Sequence, residues 1–220
     1  MKVDAITSID SFSYLRSESL EALSEIAKIK TLEKTQVLYY EGEKLDDAYF
    51  LVKGKVEIYK MDNNDNELFL CYVGDTQKGK NLINAFGDFQ SYRASASVRS
   101  LEMSTILLLD LTSLSSLVAS YPDICMALLR EFMNKLIVAK TFINFQEIYD
   151  STSKVAYILC TQLDYFNKVQ RQVIARELNI KIETLSRILQ KMLHQGLIYK
   201  DERGEICLSN QDLLEKLYRD

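Results

Sequence analysis

From Arg171 to Ile198 the chain reads RQVIARELNIKIETLSRILQKMLHQGLI, and its polar side chains fall at spacings suited to base-pair edges. Leu185, Ile188, Leu189 and Met192 repeat as i, i+3, i+4 and i+7, which predicts one buried helix face. Ile182, Glu183, Ser186, Arg187 and Gln190 are then left together on the outer face. Arginine can donate a bidentate pair to guanine O6 and N7, glutamate can accept from cytosine N4, and serine can serve either edge. Just upstream, Ala175 is small enough for two helices to cross closely, and Asn179, four residues on, tolerates the left-handed conformation of a tight inter-helix turn. This is helix-turn-helix spacing. Downstream, Leu197 to Lys200, the turn Asp201-Glu202-Arg203-Gly204 and Glu205 to Leu208 predict a β-hairpin wing. Arg171, Lys181 and Lys200 flank the reading face as further expected DNA-binding residues, and Lys200 and Lys168 are the cations expected on phosphate.

The charge distribution agrees with that reading. The chain carries −4 overall, yet residues 168 to 206 hold eight Lys/Arg against five Asp/Glu, a net +3, so the remainder carries −7. A basic module on an acidic body suits a DNA-reading domain attached to a regulatory one. Catalysis finds no support: there is no G-x-S-x-G, Walker-type loop or H-E-x-x-H, and the one histidine, His194, excludes most His-dependent acid–base schemes. Cys71, Cys125, Cys160 and Cys207 are too far apart for a C-x-x-C site, and at least three of them are expected as buried free thiols, with no metal site. No apolar run approaches the roughly 18 residues of a membrane span, and MKVDAITSID lacks the basic and apolar regions of a secretion signal, so a cytoplasmic protein is expected.

Two other kinds of element must carry and control this module. Short β-branched and aromatic runs at 37–40, 48–52, 56–61, 68–73, 94–98 and 105–109, separated by glycines and by the turn Met61-Asp62-Asn63-Asn64-Asp65, predict a small antiparallel barrel or roll. An amphipathic helix over Ser17–Ile29 precedes it. Pro122, the only proline, stands in the first turn of a helix that nothing interrupts before Asp150-Ser151-Thr152. Ile124, Leu128, Phe132, Leu136, Ala139, Ile143 and Tyr149 form its apolar stripe, expected to pack partly on the roll and partly on a second copy of the chain. Leu128, Phe132, Leu136, Ala139 and Ile143 are the expected dimerisation residues. Asp150 or Ser151 should cap a following helix, Lys154 to Tyr165, with a hinge at 149–153. The expected division is a sensor over 1–110, a dimerisation helix region over 111–149 and a DNA-binding domain over 150–220.

The whole chain resembles the bacterial Crp/Fnr family. VLYYEGEKLDDAYFLVKGKVEIYK is similar to that family's roll signature, YPDICMALL to the start of its dimerisation helix, and ETLSR to the E-x-x-S-R of the FNR branch. The resemblance implies an α+β protein: an N-terminal double-stranded β-helix of jelly-roll type, a long dimerisation helix and a C-terminal winged helix-turn-helix. It also implies a homodimer on a palindromic site with half-sites related to TTGA, Arg187 reading the guanine and Glu183 its pair, with RNA polymerase as a partner.

The sensor departs from the resemblance. Cyclic-nucleotide-binding members use a G-E pair on the ribose and an R-S pair on the phosphate, where this chain has Gly79-Lys80 and Ala94-Ser95. The Thr-Ser pair that meets the base aligns with Ala139-Lys140, and Arg93 should point to the other face of a strand. Cyclic AMP would lose charge-assisted hydrogen bonds worth about 1.5–3 kcal/mol each. Lys80, Asn81, Arg93, Ser95, Ala139 and Lys140 are the expected effector pocket, for a small molecule or gas of unknown identity. An iron–sulfur cluster is not expected, because the N-terminal cysteine cluster of the FNR branch is absent. Haem stays open and would need Cys, Met, Tyr or Lys as ligand; Cys71 and Cys125 are the candidates for a thiol-based sensor of nitrosative or redox stress. The competing class is a cyclic-nucleotide-type regulatory subunit without DNA binding, which would need neither the wing nor Arg187.

Overall fold

The computed structural model describes residues 2–74, 81–143 and 149–219. The chain divides into two units, Met1–Lys140 and Thr141–Asp220. In the first, α1 (Lys2–Thr7), a 3-10 turn (Asp10–Phe12) and α2 (Ser17–Ile26) lead into β1 (Ala27–Leu32), β2 (Val37–Tyr39), β3 (Lys44–Leu45) and β4 (Asp47–Lys53). The strands continue as β5 (Lys55–Met61), β6 (Glu67–Gly74), β7 (Tyr92–Arg93), β8 (Ser97–Ser100) and β9 (Ser104–Asp110), followed by α3 (Leu111–Ser120) and α4 (Pro122–Ile143). The strands form antiparallel sheets ordered β1-β9-β4 and β2-β8-β5-β6, with β3 pairing β7.

The run Ala48-Tyr49-Phe50-Leu51 is apolar throughout because β4 is buried on both faces. Tyr49 and Leu51 point into the roll with Val56, Ile58, Val98 and Ile106, while Ala48 and Phe50 pack outward on Ile9, Phe12, Leu23 and Leu128. The β4–β5 hairpin needs glycine at its turn. Gly54 has φ +97°, and a Cβ there would lie 2.4 Å from Ser104 Oγ and 2.8 Å from the Met103 carbonyl oxygen. At the β5–β6 turn, Asp62 Oδ1 accepts from the backbone N–H of Asn64 and Asn66 at 2.8 and 2.9 Å.

Three boundaries differ from expectation. The helix expected over Ser17–Ile29 ends at Ile26, and Ala27–Leu32 pairs with β9 instead; the ladder to Ser104–Leu109 outweighs the local helical pattern. The strand expected at 94–98 lies at Ser97–Ser100, while Ala94 exchanges backbone hydrogen bonds with Gly42 and Glu43. The helix expected from Lys154 to Tyr165 is two, broken at Gln162, whose φ −143° and ψ 43° leave the helical region.

α4 has two faces. On the inner one Ile124, Ala127 and Leu128 join the core of the first unit, and Phe132 packs edge-on to Phe86 at 5.0 Å. Asp123 anchors its start, accepting from the Arg16 backbone N–H at 3.0 Å and from Ser19 Oγ at 2.8 Å. Burial pushes the Asp123 carboxyl up, but the Arg16 and Ser19 donors prevail and hold it well below the usual carboxylate range. On the outer face Met126, Leu129, Met133, Leu136, Ile137 and Ile143 are exposed, Leu136 at 70%. The expected dimerisation residues divide between the two faces. Leu128, at 4% exposure, and Phe132 face their own roll, whereas Leu136, Ala139 and Ile143 are exposed together with Leu129 and Met133. Tyr149 lies beyond the described part of this helix.

Candidate nucleic-acid interface

The second unit holds α5 (Ser151–Thr161), α6 (Leu163–Lys168), α7 (Arg171–Glu177), α8 (Ile182–His194), β10 (Ile198–Lys200), β11 (Ile206–Leu208) and α9 (Gln211–Arg219). Asp150 caps α5, its Oδ1 accepting from the Ser153 N–H at 2.7 Å. The core is built from Val155, Leu159, Phe166, Ile174, Leu185, Ile188, Met192, Ile198, Ile206 and Leu214. Each large aliphatic or aromatic side chain so buried contributes on the order of 2 kcal/mol, and together they fix the rotation of α8 about its own axis.

That rotation decides what α8 presents. Leu185, Ile188 and Met192 are buried, so Glu183, Ser186, Arg187 and Gln190 are exposed in one row, about 10 Å long at the rise of an α-helix. The turn before α8 has the expected geometry: Ala175 is buried, Asn179 has φ +52°, and the Ile180 N–H donates to the Ala175 carbonyl at 3.0 Å. Lys181, exposed, precedes α8 without a side-chain cap, which leaves the first backbone N–H groups open to an anion such as a phosphate. The wing forms as expected, with Tyr199 opposite Cys207 and Lys200 opposite Ile206. Asp201 Oδ1 closes its turn by accepting from the N–H of Arg203 and Glu205, and Gly204 takes φ +79°. Asn167 clamps β11, donating to the Ile206 carbonyl at 2.9 Å and accepting from its N–H at 3.0 Å.

Two of the predicted residues are placed differently. Ile182 is half-buried against the core, so it closes the edge of the reading face without standing in it. Arg171 is engaged within its own domain: its guanidinium lies 3.9 Å from the Phe166 ring centroid and donates to the Phe166 carbonyl. Burial lowers its pKa. Lys200 is exposed beside Tyr199 in the wing, and Arg203 at the wing tip is a further exposed cation whose place in a hairpin turn was its only sequence signal.

The expected effector residues are not gathered into one site by any contact among the described residues. Asn81 donates from Nδ2 to the Leu51 carbonyl at 2.7 Å, and Arg93 donates to the Gly42 carbonyl at 2.9 Å on the outside of the roll. Ser95, Ala139 and Lys140 are exposed, and Lys80 lies outside the described residues. Ala94 is buried where the family places its arginine. Within the roll the Tyr39 hydroxyl has no hydrogen-bond partner among the described residues, and burial drives its pKa up. Asn84 donates to the Tyr92 hydroxyl at 3.0 Å, and burial pushes Tyr92 up to about 12. Cys125 is exposed on the outward side of α4, and Cys71, Cys160 and Cys207 are half-buried, against the expectation of burial.

Residues 29–121 match the cyclic nucleotide-binding domain, and residues 153–217 match the Crp-like helix-turn-helix domain. The cAMP-activated global transcriptional regulator CRP of Salmonella typhimurium is 27% identical over 172 residues, 73% of this chain and 80% of that protein. The structure of FixK2 from Bradyrhizobium japonicum is similar with a TM-score of 0.62 at 19% identity, over 89% of this chain and 98% of that one. A CooA variant from Carboxydothermus hydrogenoformans gives a TM-score of 0.63 at 17% identity, over 88% of each chain. A cyclic-nucleotide-type roll ahead of a winged helix-turn-helix defines a two-module, DNA-binding regulator. The chain belongs to the Crp/Fnr family of transcription regulators.

Proposed function

We propose that this regulator works as a homodimer on a two-fold symmetric DNA site with TTGA-related half-sites, under a sensor that does not answer to cyclic AMP. The row Glu183, Ser186, Arg187 and Gln190 carries the reading, because a buried scaffold holds it outward on α8. Arg187 reads the guanine and Glu183 accepts from the cytosine paired with it. Lys181, Lys200 and Arg203 contact phosphate and set affinity more than sequence preference. Two symmetric recognition helices require half-site centres about 34 Å apart, one turn of the duplex. Support for the dimer is the exposed apolar face of α4, with Met126, Leu129, Met133, Leu136 and Ile143 at alternating spacings of three, four and seven.

The case against cyclic AMP is electrostatic. The family's phosphate position holds buried Ala94, and the neighbouring Arg93 is engaged with the Gly42 carbonyl. Residence in the cytoplasm and contact with RNA polymerase follow from the regulator reading. Selection of bound duplexes from a random pool, with the full chain as bait, tests the proposal. The expected consensus is palindromic and contains TTGA-like halves; a non-palindromic consensus defeats the symmetric arrangement.

A further inference from the structure

Residues Asn81 to Ile83 follow directly on Gly79-Lys80, the positions that the family gives to its ribose contact, and they form a short extended segment with two polar edges. One edge belongs to β4: the Leu51 N–H donates to the Asn81 carbonyl at 2.8 Å, and the Ile83 N–H to the Tyr49 carbonyl at 2.9 Å. The other edge belongs to α4. Glu131 Oε2 accepts from the N–H of Asn81 at 3.1 Å and of Leu82 at 2.9 Å. Lys135, one turn further on, donates to the Ile83 carbonyl at 2.6 Å and to the Leu82 carbonyl at 3.4 Å. Glu131 Oε1 also accepts from Ser11 Oγ at 2.6 Å, which ties in the N-terminal segment.

A carboxylate facing two N–H groups and an ammonium facing two carbonyls together imitate the edge of a neighbouring strand. Glu131 is only 1% exposed, so ionic groups are spent here where an apolar contact would hold a helix just as well. What the two polar side chains add is dependence on the segment's exact backbone position, since a shift of an ångström breaks several hydrogen bonds at once. We propose that Glu131 and Lys135 are a latch that holds segment 81–83 on α4, and that the regulator's signal acts by releasing it. The claim rests on the regulator reading for its purpose, but its geometry stands without it. Lys135 is followed at once by Leu136 and Ile137 on the exposed face, so release of the latch loosens the part of α4 that presents that face.

Amide hydrogen exchange on the full chain tests this. Glu131→Gln and Lys135→Met should each speed exchange at 81–82 about tenfold, the order expected for loss of a charge-assisted bond, and should also speed exchange across 136–143. Lys135→Arg, which keeps the cation, should stay near the parent. Ser11→Ala, a milder change that removes one donor to Glu131, should fall between. Exchange across 136–143 that remains at the parent rate while 81–82 loosens would reduce the pair to a local prop and overturn the latch; so would unchanged exchange at 81–82. Light scattering on the same samples keeps the two ideas apart. A monomeric parent defeats the proposed dimer, while the exchange comparison still decides the latch.

Discussion

Two helices of this chain leave a face to solvent, and the faces differ in kind. α8 exposes Glu183, Ser186, Arg187 and Gln190, side chains with directional hydrogen-bonding capacity and little reason to leave water except for a polar partner. α4 exposes Met126, Leu129, Met133 and Leu136, which gain by leaving water against any complementary apolar surface. Both helices are fixed by a buried opposite side, yet the fixing differs. The buried side of α8 is aliphatic, through Leu185, Ile188 and Met192. α4 is held by packing at Ile124 and Leu128 and by ionic groups at Asp123, Glu131 and Lys135. A surface that must stay in one orientation to read base pairs suits a mainly apolar mount; one that must respond to a signal suits a mount containing bonds that break together.

The comparison is sharpest at Leu128 and Leu136, two turns apart on α4 with opposite exposure. Leu128→Ala should cost about 2–5 kcal/mol of unfolding stability, measured in urea, because it empties a packed core site. Leu136→Glu should leave that stability within about 0.5 kcal/mol. It should instead raise the dissociation constant of the homodimer by roughly a hundredfold, read by analytical ultracentrifugation. If the two variants behave alike, the division of α4 into an inner and an outer face is wrong.

On α8 the corresponding cut is Arg187→Ala. It should lose about 1–3 kcal/mol per half-site and relax preference at one base pair, seen by competition binding against every single-base variant of the site. Discrimination left intact would move the reading face elsewhere.

Asp123 gives a smaller effect with a definite sign. Its folded pKa is depressed, so its contribution is present above the unfolded value of about 3.9 and is lost as pH falls through the folded value. Relative to Asp123→Asn, the parent should be more stable by on the order of 1 kcal/mol at pH 7, with the gap closing below about pH 4 in unfolding titrations. A gap that widens on acidification contradicts the anchor. Smallest is Lys200→Ala, which should weaken all duplexes alike by under about 1 kcal/mol and reduce the slope of log affinity against log salt by about 1.

How far the sequence disclosed this arrangement depended on the range of each interaction. The helix-turn-helix was legible because its determinants are local: Ala175, Asn179 and the Leu185–Met192 repeat lie within eighteen residues. The roll was legible through its glycines and its doubly buried strand β4. β1 was not, since Ala27 and Ile29 alternate with Lys28 and Lys30 over too few residues to outweigh the helical pattern that runs into them from Ser17. The phase of the α4 stripe was ambiguous because apolar residues occur on both faces, and only the roll decides which are covered. Arg171 misled because its charge marks it for DNA, while the Phe166 ring that claims it lies on another helix. Glu131 and Lys135 gave no sign at all: apart from Ser11 Oγ, 120 residues from Glu131, their partners at 81–83 are backbone atoms some fifty residues away, and backbone atoms leave no mark in a sequence.

Sedimentation of the full chain with a duplex carrying two inverted TTGA half-sites, centred about 34 Å apart, tests the central claim most directly. Two chains per duplex are predicted, with the complex lost when either half-site is scrambled or Arg187 is replaced by alanine. A single chain per duplex, or no complex with this or any other DNA, contradicts the account.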